Sequence, residues 1–181
     1  MDFLMRYCGP GSIPARWQAG IFSIMIRVAR DTVPPLDGRL TGSKDAHGVR
    51  DKFDVVARGE IVGAVRQDAL CGFASFRRLS YEELTDELRD AAGLKPGMKA
   101  VCLPILLTDK NYHNKDCMRA ILSQALTSSG KLPVICESWT GRDTLHAVLK
   151  EMGFERIFET PCNYQPMPDV NRVFWMHKAR K

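Results

Sequence analysis

Ten consecutive residues, Lys99 to Thr108 (KAVCLPILLT), limit the fold more than any other stretch of this chain. A strand covered on one face alternates apolar and polar residues; a strand buried on both faces does not. This run is apolar with little alternation, which predicts a central strand with helices packed on either side. Pro104 lies inside it. Proline has no N–H for the ladder, so its presence predicts a bulge or kink in the middle of that strand.

The segments around it alternate in type. Asp2 to Tyr7 reads as a short strand closed by Gly9-Pro10-Gly11, and a helix follows from Pro14, with Trp17, Ile21, Ile24, Met25 and Val28 on one face. Val49, Phe53 and Val56 suggest a second helix, although Asp54 to Val56 suits a strand as well. Glu60–Gln67 and Leu70–Arg78 form a hairpin about Asp68-Ala69. Ser80 and Glu83 make a capping box, which starts a helix at Tyr81; Leu84 and Leu88 face inward and Gly93 stops it. After the central strand come a helix from Tyr112 to Ser129 and a strand from Leu132 to Glu137. A helix marked by Leu145, Val148, Leu149 and Met152 follows, then strands Phe154–Glu159 and Arg172–His177. Strands interleaved with helices give an α/β (α+β) fold with a mixed sheet and helices on both faces.

With 181 residues and 45% hydrophobic content the chain suits one domain over 1–181. A net charge of +5 favours an anionic partner: a nucleotide cofactor, an acidic protein or nucleic acid. The six cysteines form no CxxC pair and several sit in apolar runs, so reduced, buried thiols and a cytoplasmic setting are expected, with no metal site. The apolar runs are too short to cross a bilayer and no signal-peptide pattern opens the chain.

Three stretches, set in this order of elements, resemble the GNAT N-acetyltransferase superfamily. Ala69 to Ser75 (ALCGFAS) looks like its third strand. Leu106 to Leu122 (LLTDKNYHNKDCMRAIL) is similar to its strand, anion-binding loop and following helix. Val148 to Phe154 (VLKEMGF) looks like the close of its next helix. The similarity runs from about Glu60 to Ala179, and more loosely over the first 59 residues.

The resemblance implies a mostly antiparallel sheet of about six or seven strands with a splayed central pair. It implies acetyl-CoA as co-substrate and an amine on a small molecule or a protein as acceptor; a homodimer and contact with nucleic acid are compatible with it. The strand end Leu106, Leu107 and Thr108 would meet the pantetheine arm. The loop His113, Asn114, Lys115, Asp116, Cys117 and Met118 would present helix-opening N–H groups to the diphosphate, with Lys115 and Arg119 adding charge.

The chemistry needs a base for the amine, a polarised carbonyl and a proton for the departing thiolate. Glu137, at a strand end facing the splay, is the candidate base, against an ordinary strand-end carboxylate; Tyr112 and Tyr164 are candidates for the proton. Two departures stand out. Both glycines of the family's R/Q-x-x-G-x-G/A loop are replaced, and its tyrosine acid is Leu149, while the polar residue opening that helix falls near Arg142. These favour an alternative: a catalytically impaired binding or regulatory protein contacting a protein or nucleic acid. His113 and Cys117, four apart at a helix start, could face each other, and a thiol there would have a lowered pKa and could act as a nucleophile, against a small filler side chain.

Overall fold

The computed structural model describes residues 3–29, 56, 59–109, 111, 115–161 and 170–178. Seven strands form one sheet in the order β1-β2-β3-β4-β5-β7-β6. They are β1 (Leu4–Cys8), β2 (Glu60–Arg66), β3 (Ala69–Ser80), β4 (Lys99–Thr108), β5 (Val134–Trp139), β6 (Glu155–Pro161) and β7 (Asn171–His177). All neighbours are antiparallel except β4 and β5, which run parallel.

The sheet is covered on both sides, as the unalternating β4 requires. Helices α3 (Lys115–Ser129) and α4 (Asp143–Glu151) bury Met118, Ile121, Leu122, Leu145, Val148 and Leu149 against Val62, Phe76, Val101, Leu103 and Trp175. The opposite face carries α1 (Ala15–Ala29), whose stripe Trp17, Ile21, Ile24, Met25 and Val28 packs on Ile61, Phe73, Ile105 and Leu107. Beside it on that face, Leu84, Leu88 and Leu94 of the segment joining β3 to β4 cover Ala100, Ile135, Phe174 and Met176.

That joining segment differs from the single helix expected from Tyr81. It makes one 3₁₀ turn, Tyr81–Glu83, and then a short α2, Asp86–Ala91. The Ser80 N–H donates to Glu83 Oε2 at 2.8 Å. Leu84 then turns extended, and the Thr85 side chain accepts the Leu88 N–H as a second cap. Two competing N-caps five residues apart explain the break. The hairpin turn also sits one residue earlier than expected: Arg66 pairs with Ala69, and Gln67 and Asp68 both take positive φ, 49° and 62°. That is the two-residue turn whose twist matches the flanking strands. The expected helix around Val49 and Phe53 lies outside the described residues, although Val56 is helical and fully buried.

Pro104 acts as anticipated. Ser75 pairs with Ile105 and Arg77 with Cys102, so Leu103 and Pro104 on β4 oppose Phe76 alone on β3. This is a β-bulge at the proline.

Candidate active site

The bulge marks the point where the sheet opens. β4 and β5 pair only at Val101–Val134, Cys102–Ile135 and Leu103–Cys136. Beyond them β4 continues to Thr108, still paired with β3, and β5 continues to Trp139, still paired with β7. The two strands therefore diverge from Pro104 onward, and among the described residues the backbone of Ile105–Thr108 has no ladder toward β5. A central strand held on one side and open on the other is rare in a sheet, because unpaired backbone groups there need another partner. Leu106 and Leu107 lie on this edge, and Thr108 ends the strand. Asp109 closes it: its N–H donates to the Cys71 carbonyl at 2.8 Å, and its buried carboxylate accepts from the Asn111 N–H and pairs with Arg27 at 2.5 Å.

Helix α3 starts at Lys115, on the sheet face where the gap widens. A helix opening presents N–H groups that its own turns do not use. The Cys117 and Met118 side chains point into the core, 0% and 1% exposed, so they do not stand in front of the helix end; only their backbone can face a ligand there. Burial drives the Cys117 thiol up to about 12. The Cys117 thiol is thus packed in the core, with no exposed sulfur at the helix opening. Tyr112, His113, Asn114 and Tyr164 lie outside the described residues, as does His47.

Lys115 and Arg119 do reach the α3 opening, but they are engaged. Lys115 Nζ lies 3.3 Å from Glu151 Oε1, Arg119 pairs with Glu151 Oε2, and Arg119 Nη1 meets Asp116 Oδ1 at 3.0 Å. The Arg119 and Lys115 hydrogen bonds hold the Glu151 carboxyl below its ordinary value. No spacing rule links residues 119 and 151, so the sequence carried no signal for this contact.

Arg142 occupies the N-cap of α4, at the end of β5. Its N–H donates to the Trp139 carbonyl at 3.3 Å and its carbonyl accepts from His146 N–H at 2.9 Å. Its guanidinium is held below the ordinary arginine value by burial and lies within electrostatic reach of Cys136, the residue at which the β4–β5 ladder stops. Among the described residues it has no carboxylate partner. Arginine stays charged, and a desolvated charge favours a counterion. On the same face His146 Nε2 is 2.8 Å from Ser138 Oγ and its ring centroid is 5.1 Å from that of Trp175; burial pushes this imidazole down.

Through the gap, on the face shared with α2, stands Glu137. Its Oε1 accepts from Arg172 Nε at 3.0 Å; among the described residues Oε2 has no partner. The Arg172 guanidinium also lies 5.2 Å from the Phe174 ring centroid and 6.0 Å from that of Trp139. Glu137 borders a cavity of about 420 Å³ that reaches from Pro104 on β4 to Leu84 and Leu88 of the β3–β4 insertion. Cys102 lines the same cavity, its thiol pushed up to about 12 by burial and then by Glu137.

No protein-family model matches the chain, and no curated protein matches it either. Solved structures do. A GNAT-family acetyltransferase from Streptococcus agalactiae superposes with a TM-score of 0.66 at 10% identity, over 100% of this chain and 99% of that one. NAA60 of Arabidopsis thaliana, in complex with acetyl-CoA, gives 0.64 at 13% identity, over 98% and 99%. Ribosomal-protein-alanine N-acetyltransferase from Brucella melitensis gives 0.61 at 13% identity, over 97% and 99%. At such identities the likeness is one of fold: this chain has the GNAT acetyltransferase fold.

Proposed function

We propose that this protein is an acetyl-CoA-dependent N-acetyltransferase acting on a primary amine. One observation carries the proposal: the parallel pair β4–β5 separates after Leu103 and Cys136, so that among the described residues Ile105–Leu107 have no ladder toward β5 beside the start of α3. An open inner edge supplies backbone donors and acceptors to an extended amide-bearing arm, and the helix opening suits a diphosphate.

Lys115 and Arg119 would face the phosphates in exchange for Glu151. Arg142, half-buried near the point of divergence, would offset negative charge on the departing sulfur, in the region where Leu149 leaves no phenol. Acetyl-CoA supplies the acetyl group as a thioester. On the other face Glu137 would take the proton from the ammonium through its unengaged Oε2, while Arg172 fixes Oε1. Asp109 and Arg27 would hold the end of β4 in place.

Calorimetry with acetyl-CoA, followed by a thiol-release assay with a panel of amines, tests this. Binding with thiol release that Glu137→Gln lowers by about a hundredfold is expected for loss of a general base. No heat at millimolar acetyl-CoA sinks the proposal. A second reading has its own support: both phosphate-side cations are already paired, and Leu149 is fully buried in the core. On that reading the protein binds acetyl-CoA, or a partner in its place, without turnover; binding without thiol release from any amine selects it.

A further inference from the structure

We propose that the 420 Å³ cavity under the β3–β4 insertion is the acceptor site, and that it takes a primary amine borne on an apolar arm of about phenyl size. This rests on the acetyltransferase reading, since it assigns the substrate class of the same site.

Position comes first. The cavity is bordered by Cys102, Leu103 and Pro104 of β4 and by Ile135 and Glu137 of β5. Those residues flank the point where the two strands part, so a ligand here lies across the gap from α3. Size follows: a volume of this order is within the usual range for small-molecule pockets.

The walls then set the chemistry. The Phe158 and Phe174 rings, 5.8 Å apart and inclined by 30°, and Leu84 and Leu88, which pack with them in one apolar cluster, all contribute to its lining. A lining of aromatic rings and leucines favours a flat or aliphatic arm. The charges lining it are Glu83, Glu87 and Glu137 against Arg77 and Arg172. Three carboxylates against two guanidiniums leave one negative charge, in a chain whose net charge is +5. The excess positive charge of the molecule is therefore not in this cavity. An ammonium suits it; a phosphate-rich or acidic acceptor does not. Glu137 is the carboxylate at the divergence point, so the ammonium end is drawn toward the gap while the apolar arm lies against Phe158 and Leu88. A polyamine, charged along its length, would have to bury ammonium groups against those rings.

The test uses the full chain and 2-phenylethylamine, hexylamine, spermidine and a peptide beginning with phenylalanine. Titration calorimetry and thiol release are both read, and acetyl-CoA is titrated separately. The expected result is that 2-phenylethylamine binds and is acetylated with a kcat/KM above that of spermidine. Phe158→Ala then raises its Kd about tenfold, in keeping with the apolar area lost. Thr160→Phe, on the edge strand β6, fills the same cavity without removing core atoms and abolishes binding. If the peptide is preferred over all three free amines, the apolar arm is an N-terminal side chain and the assignment of the cavity still stands. A preference for spermidine, or 2-phenylethylamine affinity unchanged in both variants, overturns the proposal. Failure of acetyl-CoA to bind while 2-phenylethylamine still binds overturns the acetyltransferase reading and leaves the cavity assignment in place.

Discussion

Glu151→Gln separates the charge at the opening of α3 from the rest of the site. In the free protein one carboxylate holds two cations: Lys115 Nζ at 3.3 Å on Oε1, and Arg119 on Oε2. A diphosphate arriving there must displace Glu151 from both. Glutamine keeps the shape and removes the charge, while Asp116 stays on Arg119. Both partners are exposed, so each pair is weak, and the variant should bind acetyl-CoA about two- to fivefold more tightly, the range that exposed ion pairs span. Stability moves the other way, because the variant loses cross-links between α3 and α4 and melts slightly lower. Opposite signs in binding and melting are the signature. Calorimetry at about 0.05 M and 0.5 M salt adds a second check, since the shorter screening length at high salt should erase most of the gain. Unchanged or weaker binding at low salt refutes the reasoning: Lys115 and Arg119 would then not face the ligand.

Three further outcomes are expected. In Gly63→Ala the new Cβ falls 2.7 Å from two ring carbons of buried Trp17, so α1 must shift and unfolding should be easier by about 1–3 kcal/mol in urea titration; a wild-type midpoint would show that α1 gives way freely. Gln67→Asn with Asp68→Gly suits the two positive φ values of the β2–β3 turn and should raise stability by about 1 kcal/mol, read in the same titration; a lower midpoint would contradict the turn geometry. His146 is pushed down from 6.5 chiefly by burial. The unfolded chain then takes up its proton first, so its contribution is complete above about pH 6.5 and is lost as pH falls below it. His146→Gln should therefore cost more at pH 7.5 than at pH 5.5, and an equal cost at both would refute the assignment.

Much of the architecture was legible in local pattern. The unalternating run Lys99–Thr108 required cover on both faces, and the stripes on α1, α3 and α4 supplied it. Pro104 announced its bulge because a missing N–H is a property of one residue. Glu137 was expected at the end of its strand, whereas β5 runs two residues further, to Trp139. The insertion after Ser80 was visible as a helix signal, but its break was not, since Ser80 and Thr85 are both good caps and neither excludes the other.

What the tertiary structure decided were relations between distant residues. That β4 and β5 part after three pairs depends on β3 and β7 each holding one of them, not on either strand's own sequence. Arg172 lies 35 residues from Glu137 and Glu151 lies 32 from Arg119, and only the order of strands and the crossing of α3 with α4 bring them together. Local sequence fixes dihedral preference and the face a side chain takes; it is silent on which charges meet, because that is set by how whole elements pack. The cavity lined by Leu84, Leu88, Phe158 and Phe174 belongs to that second kind.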